Sequence, residues 1–198
     1  MARAVAPTLP APNVKTLVAL AKSQPGKLNY ASVGVGSLAH IGGEIFNRAA
    51  GAKQVHVPFK FLGDAFTETM ADRVHYFLFT VPSASAIARE GKLRTLATLM
   101  PKRSAMAPDI PTLEEAGVKG VSTTSWAGLF GPARLPDAVV DRLSREFRAV
   151  LTRPDIVDKL GQQGFLAHAS TPAELGAYVK EQLETWRRIV REAGIPVE

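Results

Sequence analysis

The stretch that decides the fold is Gly26-Lys-Leu-Asn-Tyr-Ala-Ser-Val-Gly-Val-Gly-Ser-Leu-Ala-His40. Its residues 28–33 are mostly apolar and predict a short strand. Gly34 and Gly36 then interrupt the strand, and Ser37 stands where a helix N-cap belongs. The residues that follow are apolar at helical spacing up to residue 50. The stretch therefore predicts a strand, a glycine turn, a serine cap and a helix.

A turn of this kind could bind an anion. It aims free backbone N–H groups, and the positive end of a helix dipole, at one point in space. Phosphates and carboxylates occupy such points in other proteins. The alternative interpretation is a tight strand-to-helix turn with an ordinary cap and no ligand. The turn alone favours that alternative, because Gly-x-Gly-Ser is a short motif.

Strands and helices alternate through residues 28–100, after a first helix. The predicted strands cover residues 54–59, 75–81 and 93–100, and the predicted helices cover residues 14–23, 63–71 and 84–90. This alternation predicts an α/β fold with a mostly parallel sheet covered on both faces. Ligands of such sheets bind beyond the carboxyl ends of the strands. Two polar segments, residues 34–37 and 80–83, lie at such ends.

The rest of the chain is predicted to be mainly helical. A short helix at residues 111–117 precedes an extended stretch at residues 120–130. Amphipathic patterns then predict helices at residues 137–151, 155–163 and 171–193. A capping box with proline at the first helical position opens the last of these helices.

The composition excludes several kinds of protein. The 198 residues include no cysteine, which excludes disulfides and thiolate chemistry. They also include no apolar run long enough to span a membrane, and the amino-terminal residues lack the apolar core of a secretory signal. The whole +6 net charge lies in residues 1–123, which favours anionic small molecules as partners. Nucleic acid is not an expected partner, because the basic residues are scattered singly.

Several segments, in a fixed order, resemble one family of proteins. Residues 28–40 resemble a signature loop of the periplasmic solute-binding receptors of tripartite tricarboxylate transporters, the Bug or TctC family. The likeness continues in register through nearly the whole chain. Its further segments are residues 55–60, 82–84, 91–97, 102–104, 108–117, 125–132 and 171–174, with Trp186. Each motif alone is unspecific, but six or more in the family's order are specific.

The resemblance implies a fold and a function. The fold is of the type II periplasmic-binding-protein kind, with two lobes that close on a ligand and no catalysis. Small organic carboxylates are held between the lobes by backbone N–H groups and waters, and the membrane components of a transporter are partners. Neither a cofactor nor a metal is implied. The family's location is periplasmic, whereas the chain as given, without a recognised signal, would be cytoplasmic.

The resemblance also implies that the chain is truncated at its amino terminus. Residues 10–123 are predicted to form one nearly complete α/β lobe, the second of the family. Residues 124–198 are predicted to be the crossover and the C-terminal helices of the incomplete first lobe. We expect this truncation to impair binding, with millimolar affinity or none. We also expect exposed apolar residues of the C-terminal helices to form a homo-oligomer, namely Phe147, Val150, Tyr178 and Trp186.

Two departures from the family's pattern alter the expected site. Phe61 and Leu62 follow Lys60 at a place where the family usually has small residues. Val74-His75 stands where the family usually has valine-aspartate. The resemblance therefore implies that half of a cleft is present and that part of this half is altered.

Ligand contacts are expected at the glycine turn and at the end of the strand predicted over residues 75–81. The expected residues are Ser32, Gly34, Val35, Gly36, Ser37, His40, Thr80 and Ser83. For Ser37 and Ser83 the alternative role is capping, and for His40 it is a place in the core. His56 is interpreted as structural. A metal site is not expected at His75, because no second histidine stands at ligand spacing.

Two other functions remain as alternatives to a receptor. The first is a cytosolic effector-sensing module, since the ligand domains of regulators share this size and type of lobe. The second is a small α/β enzyme. The sequence disfavours an enzyme, because its serines have no nearby histidine and carboxylate in a recognisable catalytic order.

Overall fold

The computed structural model describes residues 1–104, 106–121 and 125–195. The chain divides into two compact units. One comprises Met1–Ser125 together with Val190–Glu198, and the other is Trp126–Ile189. Among the described helices, none combines the length and the apolar character that crossing a membrane requires.

A five-stranded sheet lies at the centre of the first unit. Its strands are β1 Ala2–Val5, β2 Asn29–Ser32, β3 Val55–Pro58, β4 Tyr76–Phe79 and β5 Arg94–Thr98. Their order across the sheet is β3-β2-β4-β1-β5. β2 pairs in parallel with β3 and β4, whereas β1 pairs antiparallel with β4 and β5. The sheet is therefore mixed: the pairings of β2 with β3 and β4 are parallel, as predicted, whereas both pairings of β1 are antiparallel.

The strand β1 is an element that the sequence analysis missed. Alanine has a weak preference for strands, and Arg3 places a charge in the middle of the segment. The strand forms because of its neighbours: all four of its residues are buried, and it pairs with β4 on one side and β5 on the other. The sheet therefore includes a strand ahead of residue 10, where the lobe was predicted to begin.

Four helices accompany the sheet in the first unit. They are α1 Val14–Ser23, α2 Leu38–Ala50, α3 Leu62–Met70 and α4 Val81–Arg89. All four were predicted, although α4 begins earlier than expected because Pro82 is accepted in a first helical turn. Instead of the helix predicted over residues 111–117, Thr112 makes an isolated parallel bridge to Thr98, and residues 113–117 form a run of turns. In those turns the Thr112 N–H donates to the Glu115 carboxylate (2.7 Å), and the Glu115 N–H donates to the Thr112 hydroxyl (3.1 Å).

Close contact between α2 and β2 fixes the position of the glycine turn that joins them. Gly43 of α2 lies against the ring of Tyr30, so that a Cβ at this position would come within 2.2 Å of the ring. A side chain here would push the helix away from the strand. β4, next to β2, is buried at all four residues, as its apolar sequence predicted.

Three helices complete the chain, namely α5 Asp137–Leu151, α6 Pro154–Gln162 and α7 Pro172–Ala193. They agree with the predicted helices, and the capping box of α7 forms between Thr171 and Glu174. The predicted extended stretch lies partly outside the described residues, at positions 122–124.

The second unit has no buried core of its own. All of residues 126–189 are described, and none of them is buried. Phe147, Val150 and Tyr178 are exposed, as the sequence analysis expected, and Trp186 is half-buried. The apolar stripes of α5, α6 and α7 are therefore largely uncovered.

Candidate functional site

The glycine turn has the geometry that its sequence predicted. Gly34 and Gly36 adopt φ angles of +117° and +76°, a region that favours glycine. Ser37 is the N-cap of α2: its hydroxyl accepts from the His40 N–H (3.3 Å) and donates to the Gly34 carbonyl (2.7 Å). The serine thus closes the turn and starts the helix at the same point.

Three backbone N–H groups at this turn have no acceptor among the described residues. They belong to Val35, Leu38 and Ala39, and the last two lie in the first turn of α2. First-turn N–H groups have no partner inside their own helix, and the helix dipole makes this end positive. The turn therefore offers donors suited to an anion.

Ser32 lies beneath the turn and is fully buried. Its hydroxyl oxygen accepts from the Gly34 N–H (3.0 Å), lies 2.9 Å from the Gly34 carbonyl oxygen, and lies 2.6 Å from Nε2 of His56. These partners use the bonding capacity of one hydroxyl group. Ser32 is thus placed to hold the turn, and the ligand contact expected of it stays a prediction.

His40 supports the turn from the first turn of α2. Its Nδ1 accepts from the Gly36 N–H (3.1 Å), so this nitrogen must be unprotonated. The ring is buried and stacks on His56, with the ring centroids 4.0 Å apart. Burial lowers the pKa of His40, although the nearby carboxylate of Glu44 opposes that shift.

His56 is a residue of the site that the sequence analysis assigned a structural role. It lies on β3 opposite Tyr30 of β2, and its ring stacks on both Tyr30 and His40. Burial, and then the neighbouring His40, lower its pKa to about 4. Pairing residues 30 and 56 across the two predicted strands would have found this contact, but the sequence does not give the register.

The lowered pKa of His56 predicts that the folded chain loses stability in mild acid. In the unfolded chain His56 has its ordinary pKa of about 6.5, so it takes up a proton that the folded ring resists. The free energy of unfolding should therefore fall as the pH drops from 6.5 towards 4. Because the half-exposed ring is partly screened by water, we expect a loss of about 1–2 kcal/mol. Urea unfolding at pH 7 and pH 5 measures it.

Two histidine variants separate this effect from general acid sensitivity. His56→Gln keeps a donor for Ser32 but does not titrate, so the difference between pH 7 and pH 5 should shrink. His168→Gln, which changes an exposed histidine, should keep the full difference. An unchanged difference in His56→Gln would contradict the assignment.

The second predicted segment lies at the same edge of the sheet as the first. β4 is parallel to β2 and adjacent to it, so their carboxyl ends meet. Thr80 is the N-cap of α4, and its hydroxyl lies 2.8 Å from that of Ser83. Both side chains are exposed, and neither hydroxyl caps the helix backbone. The structure thus brings the two predicted segments to one edge.

The comparisons with known proteins identify the family. A family model described as the tripartite tricarboxylate transporter family receptor matches residues 1–195. The chain belongs to this family. A UPF0065 protein of Bordetella pertussis (strain Tohama I) is 32% identical over 189 residues, which is 96% of this chain and 58% of that protein. The family is one of solute-binding receptors, not of enzymes.

Solved structures of receptors confirm the fold. A structure described as Rpa4515 of R. palustris with adipate matches at a TM-score of 0.90 and 27% identity, covering 98% of this chain and 65% of that one. The periplasmic binding protein BugD matches at a TM-score of 0.87 and 26% identity, covering 100% of this chain and 67% of that one. The periplasmic-binding-protein type of fold is therefore confirmed. The chain spans 58% of the length of its Bordetella relative.

Proposed function

We propose that this chain is the ligand-binding part of a receptor that captures small organic carboxylates for a tripartite tricarboxylate-type transporter. The observation that carries the proposal is the set of N–H groups of Val35, Leu38 and Ala39, which have no acceptor in the described part of the chain, at the carboxyl edge of the sheet. Thr80 and Ser83 add two exposed hydroxyl groups at that edge. The match to an adipate-bound structure supports a carboxylate as the ligand.

The proposal also assigns the two units of the chain to the two lobes of the family. The first unit corresponds to the second lobe of the family, and α5, α6 and α7 belong to the first lobe. The boundary between the units, after Ser125, lies close to the predicted boundary at residue 123 and supports this division. The location that we propose is periplasmic, and the transporter's membrane components are the proposed partners. We further propose that the uncovered faces of the C-terminal helices associate with a second copy.

Weak binding is expected of this chain when it acts from one side of the ligand. A charge-assisted hydrogen bond contributes about 1.5–3 kcal/mol. Association costs about 4–15 kcal/mol, so two or three such bonds leave little net affinity. The affinity should therefore be millimolar, and the assay must detect binding in that range.

A nuclear magnetic resonance titration tests the proposed function. The ¹⁵N-labelled 198-residue chain is titrated with adipate, with glucose and with putrescine as a dication. We expect adipate to shift the amide signals of Val35, Leu38 and Ala39, because the donors at this turn suit negative charge. Glucose or putrescine binding at these amides, without adipate binding, would contradict the proposal.

A proline variant removes one proposed donor with little harm to the helix. Leu38 is the first residue of α2, where proline is accepted, and Ser37 already has an extended backbone. Leu38→Pro should weaken adipate binding by at least about tenfold, because one charge-assisted bond contributes about 1.5–3 kcal/mol. Asp137→Pro makes the same change at the first residue of α5 and should leave binding unchanged. Equal weakening in both variants would contradict a role for the Leu38 N–H.

A further inference from the structure

Four large apolar side chains are exposed at the edge of the sheet that carries the candidate site. Val33 and Val35 belong to the glycine turn and are 44% and 67% exposed. Phe61 and Leu62 follow β3 and are 62% and 57% exposed. Soluble proteins rarely leave several large apolar side chains together in water unless the surface binds something. We refer to these four residues as the apolar lip.

The lip is built from two loops that leave neighbouring strands side by side. β2 and β3 are parallel and adjacent, and Ser32 pairs with Pro58 at their carboxyl ends. The Phe59 N–H donates to the Ser32 carbonyl (2.8 Å), which keeps the loops together just beyond the sheet. The Val35 N–H, a proposed ligand donor, belongs to the same turn as Val33. The donors therefore belong to the same turn as two of the four apolar side chains, and the loop that carries the other two leaves the neighbouring strand.

A positive charge stands at the same place. Nζ of Lys60 lies 5.6 Å from the centre of the Phe61 ring, within the range of a cation–π interaction. The ammonium group thus lies beside apolar surface. A ligand that suits this surface has one anionic end and an apolar body.

We propose that the site prefers carboxylates with a substantial aliphatic or aromatic body, which lies against Val33, Val35, Phe61 and Leu62. This inference rests on the proposed function, since the carboxylate end needs the N–H groups of the turn. A short polycarboxylate would satisfy the donors but leave the lip in water. A ligand with an apolar body satisfies the donors and also covers the lip.

A series of straight-chain carboxylates tests the preference. The 198-residue chain is titrated with acetate, butyrate, hexanoate and octanoate, and the Kd is followed by nuclear magnetic resonance at the Val35, Leu38 and Ala39 amides. A fully buried methylene tightens binding about fourfold. Because an open lip covers a chain only partly, we expect the Kd to fall about twofold for each added methylene.

Variants of the lip identify the surface that is responsible. Phe61 is the N-cap of α3 and makes no side-chain cap, so Phe61→Ser removes the ring while it offers the helix a better cap. This variant should flatten the dependence of the Kd on chain length. Val55→Thr removes apolar surface at the opposite end of β3, is also exposed, and should retain the full dependence.

The outcomes separate this inference from the proposed function. Equal Kd values for all four carboxylates would overturn the preference and leave carboxylate binding intact. The same result would follow if another segment of the receptor, rather than ligand, covers the lip. Hexanol serves as the uncharged control. If hexanol bound as tightly as hexanoate, both the proposed carboxylate binding and the preference for carboxylates with an apolar body would be overturned. If no carboxylate, adipate included, shifted the signals of the three amides, the proposed function itself would be overturned.

Discussion

Replacing Arg3 with methionine is expected to raise the free energy of unfolding by about 1–4 kcal/mol. Arg3 lies on β1 and is fully buried. Its guanidinium carbon lies 3.6 Å from the centre of the Phe46 ring and 4.2 Å from that of Tyr76. None of its three side-chain nitrogens has a hydrogen-bond partner among the described residues. The two rings offset only part of the cost of a buried charge.

Methionine is a suitable replacement because it is unbranched and flexible enough to occupy the space between the two rings. Urea unfolding followed by circular dichroism measures the change. The midpoint of thermal unfolding should rise by roughly 2–4 °C for each kcal/mol. The variant changes no residue of the candidate site, so it also offers a more stable background for the binding assays.

Arg94 provides the matched control for this experiment. It lies on β5, where it pairs with Val5 of β1, and it is half-buried. Unlike Arg3, it donates to backbone carbonyl oxygens, those of Pro7 (3.2 Å) and Ala11 (3.5 Å). Arg94→Met should therefore destabilise the chain, since both carbonyl groups lose a donor. If Arg3→Met also destabilised the chain, the prediction would be wrong. The buried charge of Arg3 would then contribute more stability than its burial costs.

Local patterns explain why the glycine turn and the helices could be predicted. The cap at Ser37 and the glycines before it act within a few residues, so their sequence determines the turn. The helices α5, α6 and α7 follow from a spacing of apolar residues that is equally local.

The features that the sequence analysis missed depend on distant neighbours. β1 has a sequence with little strand character, and its place follows from pairing with β4 and β5, more than seventy residues away in the chain. The contact between Ser32 and His56 requires the register of β2 on β3. Neither is encoded in a local pattern, and both are decided by how the strands assemble.

The amides of α5, α6 and α7 are expected to exchange with solvent about a thousandfold faster, or more, than those of β1 and β4. The strands are wholly buried, so their amides exchange only when much of the first unit opens. α5, α6 and α7 as far as Ile189 lie in the second unit, in which none of residues 126–189 is buried. Most of the stability of helices in proteins comes from tertiary packing of an apolar face, which these helices lack within the second unit. Hydrogen exchange of the dilute chain, read residue by residue, measures the difference.

The same experiment at rising chain concentration tests the proposed association with a second copy. If α5 packs on another chain, its exposed Phe147 becomes covered, and protection should rise with concentration. Phe147→Glu should abolish that rise, because it places a charge in the apolar stripe. Arg145→Glu, a charge change at an exposed neighbouring position, should leave it in place. Protection of α5 as strong as that of β4 at every concentration would contradict both expectations, since it would require a core that these helices do not form in a single copy.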